Sequence, residues 1–305
     1  MSFNQSVIDE FRANQGKVGG YFEGSDLLLL TTTGAKSGAE RTAPLGYVRN
    51  GDQLLIIGSN LGGPKHPDWY HNVLAHPLVQ VEIGADSFEA VAVPAEGARR
   101  DRLFAHVVAS EPGYGEYQEN TTRILPVVVL ERSDPAPGEG PAEVRSLADK
   151  LVEVHVWLRG QLRHVGAEVD AYFEALAGYE GGDREGAAPA PGLGLQIRQH
   201  CLAFCQTLEI HHTGEDAHMF PAMEAQNPHL KDAFERLRAE HVTVARLQQE
   251  LSALLADISA ADPELFRKEL ARMSSELNAH LDYEEEALLP LLSEIPFPPG
   301  PPAGA

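Results

Sequence analysis

The sequence predicts a protein of two domains, an α+β half built on a small β-barrel followed by an all-α four-helix up-down bundle. Three observations carry that expectation. Short apolar runs alternate with turn signals over residues 1–132, and a helical period replaces them over residues 142–295. Between the two lies SDPAPGEGPAE, starting at Ser133, rich in proline, glycine and acid. Residues 133–141 therefore read as a linker and residues 296–305 as a disordered tail. At 305 residues the chain is also long for a single core.

The first half offers six apolar runs as strands: residues 26–34 (DLLLLTTTG), 42–48, 53–59, 78–84, 88–94 and 124–131 (ILPVVVLE). Asn50, Gly51 and Asp52 read as a tight hairpin turn between the second and third. Helices are expected at residues 4–14, 68–75 and 98–110. The second half has no strand signal. Its helical patterns cover residues 142–177, 195–219, 230–258 and 263–292, with the Gly/Ala/Pro-rich stretch 178–192 separating the first two.

Charge excludes some partners. With 24 basic and 45 acidic residues the formal net charge is −21, which repels phosphate backbones and anionic lipid. No nucleic-acid partner and no integral membrane contact are expected, since no apolar run is long enough to span a bilayer. The segment MSFNQSVIDEFRANQG carries acids and no apolar core, so it does not read as a secretory signal. Cys201 and Cys205, four residues apart on one helix, suit packed thiols better than a disulfide. A cytoplasmic protein is expected, with a homodimer allowed.

The helical half carries polar residues where its apolar stripes should continue. Stripes at i, i+3, i+4 run through Leu151, His155, Leu158 and Leu162, then Phe204, Leu208, His211 and Glu215. The other two run through Leu237, His241 and Val244, and through Met273, Leu277, His280, Glu284 and Leu288. Each helix thus places a histidine on its buried face, and two add a glutamate one turn on. A lone buried histidine is ordinarily a satisfied core side chain. Four with two buried carboxylates are not, because an unpaired buried carboxylate costs several kcal/mol. His155, His211, Glu215, His241, His280 and Glu284 form a ligand set suited to two first-row transition ions. His212, Asp216, Glu285 and Glu286 read as flanking partners or solvated residues, and His164, His200, His218 and His229 as surface.

His155, HHTGEDAHMFPAM, AEHVTV and AHLDYEEEALLP together resemble the hemerythrin-like HHE cation-binding domains. The resemblance implies a non-haem di-iron centre that can bind oxygen. The family's second histidine on the third helix falls at Ala245, so a four-histidine centre is expected.

In the first half, TTTGAKSGAERTAPLGYV (Thr31 to Val48) joins two strands through a glycine-containing turn with Lys36 and Arg41. Small residues and two cations at a turn suit an anion, although a solvated hairpin tip would look the same. GSNLGGPKHPDWYHN adds a second glycine turn and a helix start bearing Trp69 and Tyr70, a candidate ledge for a ring.

With R-x-x-P-L, PGYGEYQ and ILPVVVLE, these motifs resemble, in order, the deazaflavin-dependent nitroreductase and quinone reductase family. That resemblance implies a flavin-reductase-like split β-barrel and coenzyme F-420, with flavin mononucleotide as the alternative cofactor. Lys36, Ser37 and Arg41 would then hold the anionic tail. Thr42, Ala43, Pro44, Leu45, Ser59, Asn60, Trp69, Tyr70 and Asn72 would line the ring and linker. Tyr114 and Tyr117 match the substrate-side tyrosines. The expected activity is hydride transfer from the reduced cofactor to a quinone, nitro or enone acceptor. An oxygen or redox sensor, or an iron-handling protein whose barrel only binds the cofactor, stands as the alternative.

Overall fold

The structure is a computed structural model and describes residues 3–133, 140–180, 193–255, 258 and 261–298. Most of the expected linker and tail, and residues 181–192 of the Gly/Ala/Pro-rich stretch, lie outside the described residues. The chain forms two compact units, Met1–Asp134 with Glu174–Ala203, and Pro135–Phe173 with Phe204–Ala305. Among the described residues no helix is long and apolar enough to cross a membrane.

In the first unit, helix α1 (Phe3–Ala13) precedes six strands: β1 (Leu27–Thr33), β2 (Glu40–Asn50), β3 (Gln53–Ile57), β4 (Leu78–Ile83), β5 (Asp86–Pro94) and β6 (Val127–Arg132). They close as β1-β2-β3-β6-β5-β4 with every pairing antiparallel. The β2–β3 hairpin turns at Gly51 and Asp52, where Gly51 has φ +61, a conformation that costs an ordinary side chain energy.

Strands β1, β3 and β6 are buried on both faces over most of their length, which explains their apolar runs without alternation. Leu28, Leu30, Leu54, Ile56, Val79, Val81, Phe88, Ala90, Val128 and Leu130 share one core cluster. The alternate residues Leu55, Ile57, Val127 and Val129 pack with Val107 of α3 (Gly97–Ser110), while Leu27 and Leu29 pack with Ile8 and Phe11 of α1. Trp69, on α2 (Asp68–Ala75), belongs to the first cluster and is buried. Its indole packs in the core, one of the two roles open to it from the sequence, the other being a ring-binding ledge. A further short helix, α4 (Gly113–Glu119), was not expected, its two glycines having masked it.

The loop between β3 and α2 is held by one side chain. Arg123 donates to the carbonyls of Gly58 (2.9 Å), Ser59 (2.6 Å) and Gly63 (2.9 Å), and its Nη1 lies 3.0 Å from His66 Nδ1. Within that loop Asn60, Leu61 and Gly62 all have positive φ, at 45°, 52° and 75°. Such a run in non-glycine residues is strained and persists only where its surroundings over-determine it.

The helical part contains α5 (Leu147–Glu180), α6 (Leu193–Gly214), α7 (Phe220–Gln226), α8 (Lys231–Leu255) and α9 (Pro263–Leu292). Ser146 and Asp149 cap α5 reciprocally, the Asp149 carboxylate accepting from Ser146 N and Ser146 Oγ accepting from Asp149 N. Asp262 caps α9 by accepting from Leu265 N at 2.8 Å, with Pro263 in the first turn.

The expected stop near Pro221 does not occur. Helix α6 passes through a π-turn, Glu215–Met219, and continues as α7, so the region has more helices than the four expected. Proline lacks the N–H that would close an ordinary turn and clashes with the preceding one. The wider turn, in which Phe220 N–H reaches back five residues to Glu215 O, accommodates it.

Replacing Arg123 with methionine should cost about 2–3 kcal/mol, the scale of lost charge-assisted bonds to partly buried carbonyls. Hydrogen exchange should locate the loss, with protection of residues 58–66 falling while the β-strand amides keep theirs.

Candidate functional site

In the second unit, α5, α6, α8, α9 and the π-turn bring seven ligand-type side chains together, all buried except the half-buried His211. Five are the histidines 155, 211, 212, 241 and 280, and two are Glu215 and Glu284. His155 Nε2 and His211 Nε2 are 3.1 Å apart, and they lie 3.6 and 3.8 Å from Glu284 Oε2. On the other side His280 Nε2 is 3.2 Å from His212 Nε2 and 3.6 Å from Glu284 Oε2, while His241 Nε2 is 3.6 Å from Glu215 Oε2. The His212 ring stacks on that of His241 at 4.0 Å.

Buried polar atoms ordinarily find partners. Here both carboxylate oxygens of Glu215, both of Glu284 and Nε2 of His241 are buried without a hydrogen bond. The separations of 3.6–3.8 Å are too long for hydrogen bonds, and they are the spacing that a shared cation leaves between its ligands. The residues fit a pair of metal ions.

Electrostatics agrees. Burial, then the neighbouring Glu284, pushes the Glu215 carboxyl up to about 12. Burial also disfavours charge on Glu284, but the His211 and Glu215 groups facing it outweigh burial and hold it below the usual range. The opposite directions belong to one pair of adjacent carboxyls that cannot both ionise without a cation. Burial lowers His155, His212 and His241, leaving neutral imidazoles, the form that ligates.

Outside the ring of ligands, carboxylates orient the imidazoles. His155 Nδ1 donates to Glu285 at 2.8 Å, His241 Nδ1 to Asp216 at 3.0 Å and His280 Nδ1 to Glu240 at 3.0 Å. Each bond turns Nε2 inward. Asp216 and Glu285 fill the flanking role expected of them, whereas Glu286 is exposed and His200, expected at the surface, is buried.

All six sequence-expected ligand residues converge, and His212, expected to flank them, is buried among them as a fifth histidine. The signal was present: Phe204, Leu208 and His212 follow one another at i, i+4, so the buried stripe is wide enough for both adjacent histidines. Glu240 carried no such signal.

In the barrel unit, Lys36, Ser37 and Arg41 are exposed around a tight turn in which Gly38 has φ +65. Asn72 pins that turn, accepting from Ala35 N and donating to Thr32 Oγ1, both at 3.0 Å. Those two bonds hold the turn that carries Lys36 and Ser37. Thr42, Ala43, Pro44 and Leu45 are half-buried on β2, where Thr42 Oγ1 lies 2.8 Å from Thr31 Oγ1. Tyr70 is half-buried beside the core and Asn60 donates to Lys65 O.

Tyr114 and Tyr117 meet edge to face at 6.1 Å. A side chain at Gly46 would meet the Tyr114 hydroxyl at 3.1 Å, and one at Gly62 would meet Tyr117 O at 3.3 Å. Both tyrosines therefore abut segments expected to hold the cofactor, the β2 strand and the Ser59–Asn60 loop.

Comparison with known proteins places both halves. The model of the F420H(2)-dependent quinone reductase family matches residues 4–132, and that of the hemerythrin HHE cation binding domain matches residues 146–292. An F420H(2)-dependent quinone reductase of Mycobacterium tuberculosis is 39% identical over 126 residues, covering 40% of this chain and 85% of the relative. A solved F420-H2 dependent reductase is 40% identical over 35% of this chain and 94% of its own, with a TM-score of 0.33. The chain belongs to the F420H(2)-dependent quinone reductase family and carries, behind that domain, a hemerythrin HHE cation binding domain.

Proposed function

We propose that the barrel domain passes a hydride from reduced coenzyme F420 to a quinone, with nitro compounds and enones as further acceptors. The helical domain holds two non-haem iron ions and responds to oxygen or redox state. The observation that carries the second half is the group of partnerless buried atoms on Glu215, Glu284 and His241. The first half rests on the family and on Tyr114 beside β2.

Bound reduced deazaflavin supplies the hydride. Lys36 and Arg41 meet its anionic tail as exposed cations on a turn that Asn72 keeps rigid. Burial, then Glu111 and Tyr117, raises the Tyr114 pKa, so its hydroxyl stays protonated at neutral pH. It donates a hydrogen bond to the acceptor oxygen as negative charge develops there.

In the helical domain, His155 and His211 on one side, His212, His241 and His280 on the other, and Glu215 and Glu284 would hold the iron. Iron so held would supply one-electron redox chemistry and affinity for oxygen.

Tyr114→Phe should lower kcat for a soluble quinone about 100-fold, the scale for one oxyanion donor, with cofactor affinity unchanged. Cofactor binding without quinone turnover in the parent protein would leave the barrel a binding module and favour the sensor.

Lys36→Ala with Arg41→Ala should weaken the deazaflavin by about 2–4 kcal/mol in fluorescence titrations, with little effect on flavin mononucleotide.

Metal analysis of the reconstituted chain should give about two iron ions, as such four-helix carboxylate sites hold. His212→Ala should lose metal as His241→Ala does, and Glu286→Ala should keep it. Full metal retention in His212→Ala would return the centre to four histidines.

A further inference from the structure

The three carboxylates behind the imidazoles are themselves held differently. Arg236 donates to Glu240 at 2.7 Å from four residues away on the same helix, α8, and its guanidinium lies over the Tyr283 ring of α9 at 3.5 Å. Arg159 instead pairs with carboxylates on another helix. From α5 it donates to Glu285 at 2.6 Å and to Asp282 at 2.7 Å, one turn apart on α9. The Glu285 oxygen that receives Arg159 also receives His155 Nδ1, at 2.8 Å.

His155 is fully buried and is the only ligand that α5 contributes. It stands one turn from Arg159 on the same helical face. The side chain of Arg159 is 20% exposed, against 57% for Arg236, so its charge pairs are less screened.

The side of the centre containing His155 also has fewer imidazoles. His155 and His211 face Glu284 there, while His212, His241 and His280 gather on the other side. Fewer strong ligands and a single tether to α5 make this the weaker half.

We infer that the two ion positions are unequal and that Arg159, acting through Glu285, is a positioning residue that sets the affinity of the two-histidine position alone. The inference rests on the ligand assignment proposed above. Arg159 also borders a surface groove of about 460 Å³ with Leu162, Gly166 and Leu270. Its truncation therefore opens into solvent and leaves no sealed cavity.

Anaerobic titration of the metal-free full chain with ferrous iron, followed by native mass spectrometry, tests this. The parent chain should fill in two resolved steps. Arg159→Met should weaken the second step about 10- to 100-fold, the usual effect of losing an outer partner of a metal-bound histidine, and leave the first step within about threefold. Glu285→Gln, which keeps the shape and removes the charge, should move the same step, covering a failure of Arg159→Met to fold. Arg236→Met should leave the second step in place. One cooperative two-ion step in the parent, or loss of both steps together in Arg159→Met and Glu285→Gln, overturns the inference while leaving the ligand set intact. A parent chain that binds no iron overturns the ligand set itself.

Discussion

Two carboxylates share one buried spot, and the helical unit is arranged around the cost of that. Glu215 and Glu284 are both almost without solvent, and no oxygen of either makes a hydrogen bond. A protein without a cation there must either keep a proton on one of them or leave a charge unpaired in an apolar interior. Around the pair, each helix trades one core position for an imidazole. Above and below, the apolar layers of Leu151, Phe220, Phe234 and Leu288, and of Phe173 and Phe266, close the bundle off from water. The apolar layers supply the stability, and the polar rung draws on it.

The barrel unit is governed by a different constraint, burial on both faces of β1, β3 and β6. Once α1, α3 and α4 cover the outside, the polar side chains left over gather in loops, and the loops must be stiffened by something other than strand pairing. Asn72 does this for the turn carrying Lys36, and Arg123 for the loop carrying Ser59 and Asn60. Both side chains direct their hydrogen bonds to the loops they hold and to neighbouring side chains, and so set the shape of those loops.

Six strands and the alternation of domain character were legible in the sequence because apolar runs and turn residues are local signals. So were six of the seven ligand-type side chains that converge, since a histidine or glutamate on an apolar stripe is anomalous wherever it stands. What escaped was tertiary. Trp69 could be assigned to the core only once the barrel closed around it, and Glu240 and Arg159 gain their roles from partners on other helices. His212 was a misjudgement of stripe width: on a helix about 100° separates adjacent residues, and the site is broad enough to receive both. The pattern ending at residue 219 likewise stops where Pro221 follows, a residue that ordinarily ends a helix, and here that disturbance is absorbed in a π-turn.

That disturbance has a consequence for how the chain tolerates change in length. A π-turn accommodates one residue more than the α-helical turn it replaces, so the segment behaves as a single insertion carried inside a helix. Deleting one residue between Glu215 and Met219 would return the helix to ordinary register and swing everything after it by about 100° relative to what precedes it. Phe220, which now lies against the His241 ring, and Met223, now in the core, would turn away while His211 and His212 stayed in place. Relatives lacking the extra residue would therefore have to close this layer of the bundle with different side chains, and aligning them here requires a one-residue gap within continuous helix.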